Sequence, residues 1–160
     1  MKRVLAALFA IPVLAHAGSR EEILQEKGLW AVDSPLCGPC STVLVMRYFA
    51  DKTPFSEVNL ALKRTPDGLV SLGEIFRFLT VRGFRVQGIE GGPADIREDN
   101  VAYILSAKAD GHVFHFVFAA YDSSIQRWRI GDAMSDPQMI AVSAEDLEKY
   151  WSGVALKVSR

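Results

Sequence analysis

The spacing of apolar positions along this chain changes once, near its middle. From Cys37 onward Val43, Leu44, Met46 and Tyr48 follow a helical pattern, which Asp51-Lys52-Thr53-Pro54 ends. Ser56 to Lys63 reads as a second short helix, stopped by Pro66-Asp67-Gly68. Ser71 and Glu74 form a capping box, and Leu72, Ile75, Phe76 and Leu79 then recur at helical spacing until Gly83. From Phe84 the period shortens. Phe84 to Ile89, Val101 to Ala107, His112 to Tyr121 and Ile125 to Ile130 read as strands, with Asp122-Ser123-Ser124 a tight hairpin connection between the last two. Met139 to Val142 adds a short strand. Ser143 with Asp146 starts a final helix bearing Leu147, Tyr150 and Trp151, and Val154 to Val158 closes the chain as a strand. Helices first and antiparallel strands afterwards predict an α+β domain, with N-terminal helices packed on an antiparallel sheet.

The ends of the pattern carry separate information. Lys2 and Arg3, the uncharged run Val4 to Leu14, and Ala15-His16-Ala17 follow the plan of a secretory signal peptide cleaved after Ala17. The run is too short for a permanent membrane helix, so no stable span is expected after cleavage. Residues 1–17 are therefore read as a leader and 18–160 as one domain, long enough for a proper core and too short for two. The mature start, Gly18 to Leu29, is polar with a short amphipathic piece around Ile23 and Leu24. The expected location is periplasmic or secreted.

Removal of Lys2 and Arg3 leaves sixteen basic residues against nineteen acidic ones. A weakly acidic chain without a basic cluster is a poor nucleic-acid binder. Metal binding is not expected either, because the two Cys and the two His left after cleavage lack the spacing of a second ligand pair. No cofactor is implied.

The chemistry centres on Cys37-Gly38-Pro39-Cys40-Ser41, which holds both cysteines of the chain. A Cys-x-x-Cys can be a redox dithiol, or in an oxidising compartment a stabilising disulfide. A cysteine at a helix start can equally be a nucleophile, because the unpaired N–H groups and the dipole there stabilise a thiolate. Pro39 suits a first helical turn, where its missing N–H costs nothing. A thioredoxin-like dithiol wants a hydrophobic strand just ahead of it, and Asp33, Ser34 and Pro35 interrupt that stretch. The nucleophile reading needs a base and an orienting acid from elsewhere in the fold. His115 shares a strand face with Val117, while His112 shares the other with Phe114, Phe116 and Phe118, a row that reads as packed core. The hairpin after that strand returns Asp132 toward its start, with Asp136 as a weaker rival. Gly91-Gly92 has the letters of a double-glycine cleavage site but reads as a turn in an acidic loop.

Taken together, Cys37-Gly38 opening a helix, His115-Phe116-Val117 and Ile130-Gly131-Asp132 resemble the papain-like peptidases that process bacteriocin precursors after a double-glycine leader. Asp67-Gly68-Leu69-Val70-Ser71-Leu72 and Tyr150-Trp151-Ser152-Gly153 are similar to further family segments, so the resemblance spans nearly all of the mature chain. It implies a papain-like fold with Cys37 as nucleophile, His115 as general base and then acid, and Asp132 as orienter of the imidazole. It also implies that the Cys37 backbone N–H helps bind the oxyanion, with a precursor peptide as substrate and a secretion system as an associated partner. The family carries a glutamine six residues before the cysteine, and Ala31 stands there in this chain. Loss of one oxyanion donor costs turnover by a factor of about 100 to 1,000. Ser34 offers a hydroxyl in compensation, and Gln25 reaches in with its amide if the lead-in folds back, whereas ionised Asp33 has no proton to donate. The departure also admits a peptide-binding module without catalysis. If Cys37 and Cys40 pair on export, the enzyme is latent until reduced.

Overall fold

The computed structural model describes residues 35–108, 114–131 and 139–160. Three helices come first: α1 (Cys37–Tyr48), α2 (Phe55–Ala61) and α3 (Leu72–Val81). The strands β1 (Arg85–Glu90), β2 (Ala102–Lys108), β3 (Phe114–Asp122), β4 (Arg127–Gly131) and β5 (Ile140–Val142) follow, then α4 (Ala144–Tyr150) and β6 (Trp151–Ser159). The six strands form an antiparallel sheet in the order β1-β6-β2-β3-β4-β5. The α+β expectation is met.

Two of the helix starts work as the sequence predicts. The Ser71 hydroxyl accepts the Glu74 backbone N–H at 3.2 Å and the Ser143 hydroxyl accepts that of Asp146 at 3.0 Å, each satisfying a donor the helix cannot. The capping box at Ser71 is only half formed. Glu74 turns its carboxylate away from the cap, accepting the Lys63 backbone N–H at 3.1 Å and Arg77 at 2.5 Å, so it ties α3 to the segment after α2.

The sheet separates two apolar layers. On one face Ala102, Ile104, Phe118, Ala120, Leu156 and Val158 pack under Val43, Leu44 and Met46 of α1 and Ile75 and Leu79 of α3. Phe116 joins this layer, as the predicted aromatic row requires. On the other face Tyr103, Leu105, Val117, Ala119, Trp128 and Ile130 meet Leu147 of α4, Trp151 and Ile96. Helix α1 is buried from Gly38 through Met46, so it needs apolar or internally bonded side chains all round. Each fully buried Leu or Ile in these layers contributes about 1.5–3 kcal/mol relative to exposure. Edge strand β1 is instead largely exposed and carries Arg85, Gln87 and Glu90, a composition that discourages pairing with another chain.

Two boundaries differ from the sequence reading. Ile125 lies in the connection between β3 and β4, where Asp122 pairs with Arg127 across four intervening residues. Gln126 adopts φ 52° there, and Asp122 accepts both the backbone N–H and the hydroxyl of Ser124, so the loop is longer than the three-residue turn expected. Trp151 begins β6 rather than ending α4, and its indole N–H bonds the Val154 carbonyl at 2.8 Å. Gly92 opens a turn over 92–95, its carbonyl accepting the Asp95 N–H at 3.0 Å and its N–H donating to the Asp95 carboxylate at 2.9 Å. Among the described residues no helix is long and apolar enough to cross a membrane.

Candidate active site

Cys37 is the first residue of α1 and is half-buried. The residue before it, Leu36, takes the N-cap position with no side-chain cap bond, and the first turn holds no acidic residue. The N–H of Cys40 makes the first bond of the helix, to the Leu36 carbonyl at 2.8 Å. Pro39 has no N–H to give, and the N–H groups of Cys37 and Gly38 precede that first bond, so the helix itself supplies them no acceptor. The positive end of the helix dipole lies at Cys37, where it favours an anion. Cys40 is buried one turn deeper, and no disulfide joins the two cysteines.

Three contacts fix this turn. Arg64 donates to the Pro35 carbonyl and the Gly68 carbonyl, both at 2.7 Å, and to Asn59 at 2.6 Å, so it holds the chain leading into Cys37 against the loop before α3. In the same loop Val70 presses on the helix, for a β-carbon added to Gly38 would lie 3.0 Å from the Val70 Cβ. Finally, the Ser41 hydroxyl, fully buried, donates to the Phe116 carbonyl at 2.9 Å. Ser41 and Cys37 are four residues apart and share a face of α1.

The last contact sets the helix against the histidine strand. At its far end α1 meets β3 again through Tyr48, whose ring centroid lies 6.0 Å from that of Phe118. Ser41 thus pairs with Phe116 and Tyr48 with Phe118, so α1 and β3 run in the same direction and the cysteine end of the helix lies toward the start of the strand. His115 is in that start, directly before Phe116, opposite Ala107 of β2 and 4% exposed. Alternation gives it the face of Val117 and Ala119, as the sequence pattern predicts. Phe116 itself precedes Phe118, which pairs with Gly131, the last described residue of β4. The helix start therefore meets β3 along the stretch beyond that pairing. Asp132 directly follows Gly131 in sequence and lies outside the described residues, as do His112, Asp136, Ala31, Ser34, Asp33, Gln25, the lead-in and the proposed leader.

Sequence reasoning missed Ser41 and Arg64. Nothing in either residue's surroundings marks a partner 75 positions away in one case or 29 in the other. A cavity of about 380 Å³ sits at the opposite end of β3, lined by Tyr48, Asp99, Tyr121, Asp122 and Arg129 among others. There the Tyr48 hydroxyl titrates above its ordinary range, first because of burial and then because of Asp99 and Asp122. Neither Cys37 nor His115 lines that cavity.

A helix that starts at a cysteine, laid along an antiparallel sheet with a buried histidine on the adjoining strand, is the arrangement of papain-like peptidase domains. Residues 29–160 match the peptidase C39 family, and the chain belongs to it. Solved structures agree in fold. The peptidase domain of Streptococcus ComA, a bifunctional ABC transporter involved in a quorum-sensing pathway, superposes with a TM-score of 0.62 at 18% identity, over 77% of this chain and 90% of that one. A double-glycine motif protease from an AMS/PCAT transporter, solved in complex with the leader peptide, gives 0.60 at 17% identity over 79% and 86%. The N-terminal peptidase C39-like domain of a toxin secretion ATP-binding protein from Vibrio parahaemolyticus gives 0.53 at 16% identity over 79% and 97%. No curated protein matches the chain.

Proposed function

We propose that this chain is an exported cysteine peptidase that cleaves a precursor peptide or protein after a small-residue leader of the Gly-Gly type. The observation that carries the reading is the Ser41–Phe116 bond, which joins the helix of Cys37 to the strand residue next to His115 and supports a Cys37–His115 pair, the imidazole taking the sheet face of Val117 and Ala119 rather than that of the helix layer. Membership of the peptidase C39 family supports the reaction class. In this reading residues 1–17 are a signal peptide, 18–160 the peptidase domain, and the mature protein acts in the periplasm or outside the cell. The leader-peptide complex of the transporter protease supports a peptide substrate here.

His115 takes the Cys37 proton, and the sulfur attacks the carbonyl carbon of the residue that ends the leader. The oxygen becomes an anion, which the Cys37 N–H at the uncapped helix start stabilises. His115 then protonates the leaving amine as the peptide bond breaks. Water, activated by the same imidazole, releases the leader from the thioester. Asp132 orients the imidazole, and Ser34 supplies the second oxyanion donor.

Ala31 favours a second reading, a peptidase-like module that binds peptides for a secretion system without cutting them. A synthetic precursor with a Gly-Gly leader separates the two. Cleavage after the leader that stops in Cys37→Ala and in His115→Ala supports the peptidase. Binding without cleavage, unchanged in Cys37→Ala, sinks it in favour of the module. The third reading, a thiol–disulfide oxidoreductase, requires both thiols. Cys40→Ser leaves a peptidase active in reductant and destroys a dithiol oxidoreductase.

A further inference from the structure

We infer that Ser41 is a positioning residue for the reaction, holding the histidine strand in register with the cysteine helix; the inference rests on the Cys37–His115 reading. A serine inside a helix ordinarily turns its hydroxyl back to the carbonyl four residues earlier. Thr42, next to it, does so, donating to the Gly38 carbonyl at 2.8 Å, and Thr80 does the same to Phe76. For Ser41 that carbonyl would be the one of Cys37. Its hydroxyl instead crosses to the Phe116 carbonyl at 2.9 Å.

The crossing has two consequences. It leaves the Cys37 carbonyl undisturbed by a side chain that shares its helix face. It also gives a hydrogen-bond donor to β3 in the stretch before Phe118, the residue that pairs with the last described residue of β4. The bonded carbonyl belongs to the residue adjoining His115, so this hydrogen bond ties the cysteine helix directly to the histidine backbone. Without it the Phe116 carbonyl loses its donor from the helix, and the strand start, still laddered to β2, loses this tie to the cysteine turn. A displacement of about 1 Å at reacting groups costs about 100-fold.

The test uses the whole mature protein in reductant, with iodoacetamide alkylation of Cys37 followed by peptide mass mapping across pH, and thermal unfolding alongside. Wild type, Ser41→Ala, His115→Ala and the double variant form a cycle. Ser41→Ala is expected to slow Cys37 alkylation at pH 6 by between about 10- and 100-fold, and to have no further effect once His115 is gone. Ser41→Thr and Ser41→Val match each other in shape and differ in the hydroxyl, so the Thr variant is expected to react faster than the Val variant. That pair carries the test if Ser41→Ala fails to fold. Equal slowing by Ser41→Ala with and without His115, or Thr and Val variants that react alike, overturns the positioning role. If His115→Ala alone leaves Cys37 alkylation unchanged, the Cys–His reading falls, and the positioning role falls with it. If His115→Ala slows it and Ser41→Ala does not, only the positioning role falls.

Discussion

Gly38 follows the candidate nucleophile, and the structure gives a quantitative reason for it. A helical glycine is ordinarily a liability, and Gly→Ala in a helix interior gains up to about 1 kcal/mol. Here the added methyl carbon would lie 3.0 Å from the Val70 Cβ, 3.4 Å from its Cγ1 and 3.5 Å from the Ile75 Cδ1. Carbon atoms pack best at about 3.5–4.0 Å, so the helix start or the Val70 loop must yield by at least a few tenths of an ångström. Overpacking of this kind costs about 1–3 kcal/mol, which outweighs the propensity gain. Gly38→Ala is therefore expected to be destabilising by up to about 2 kcal/mol, measured by urea unfolding. The closest atom is the Val70 Cβ, and this sharpens the prediction. Val70→Ala keeps that atom and should relieve little of the strain, whereas Val70→Gly removes it, so only the second should show a large favourable coupling with Gly38→Ala in a double-mutant cycle. A Gly38→Ala protein that is more stable by the full propensity gain, with no coupling to either Val70 variant, would refute the close-packing argument.

Two other substitutions test the cores and the acid response. Trp128 is fully buried, and its indole Nε1 has no hydrogen-bond partner among the described residues, so Trp128→Phe loses packing but also relieves a desolvated donor costing about 1–3 kcal/mol. Its stability is expected within about 1 kcal/mol of wild type, and a loss approaching the 3–5 kcal/mol typical of full truncation to Ala would contradict this. Burial pushes the Asp146 carboxyl up, but bonds from Ser143 at 2.8 Å and Lys149 at 3.0 Å prevail and hold it below the ordinary carboxylate range. A depressed folded-state value means that Asp146 stabilises the fold above the unfolded carboxyl range and loses that contribution as pH falls through the folded value. The stability gap between wild type and Asp146→Asn should therefore close in acid, below about pH 4, and a gap that widens there would show the sign to be wrong.

Much of this architecture is legible in the chain because its signals are local. Ser71 and Ser143 announce their helices by hydrogen bonds that span three residues, and the alternation of Phe116, Val117, Phe118 and Ala119 assigns the two faces of β3 directly. What depends on the third dimension is not legible. Gln126 occupies a left-handed conformation that a non-glycine residue does not advertise, so the loop that takes in Ile125 reads as strand. The carboxylate of Glu74 is drawn from its own cap to the Lys63 backbone N–H, eleven residues earlier in the chain. The pairing of β1 with β6 joins Arg85 to Ser159, a partnership with no short-range trace. The same holds at the site. Cys37 and His115 stand out as residue types with chemistry, whereas Ser41 and Arg64, which hold the surrounding turn, look like ordinary surface residues until the fold brings their partners to them.

The central claim is that Cys37 is a nucleophile activated by His115 for attack on a Gly-Gly carbonyl. The most direct measurement is irreversible labelling by a peptide that ends in a Gly-Gly chloromethyl ketone, located by mass mapping in reductant, for wild type and His115→Ala. The account predicts a single adduct on Cys37, formed far faster than with a reagent lacking the peptide, and lost in His115→Ala. Labelling that is no faster than that of a free thiol, indifferent to His115 or shared with Cys40, would contradict it.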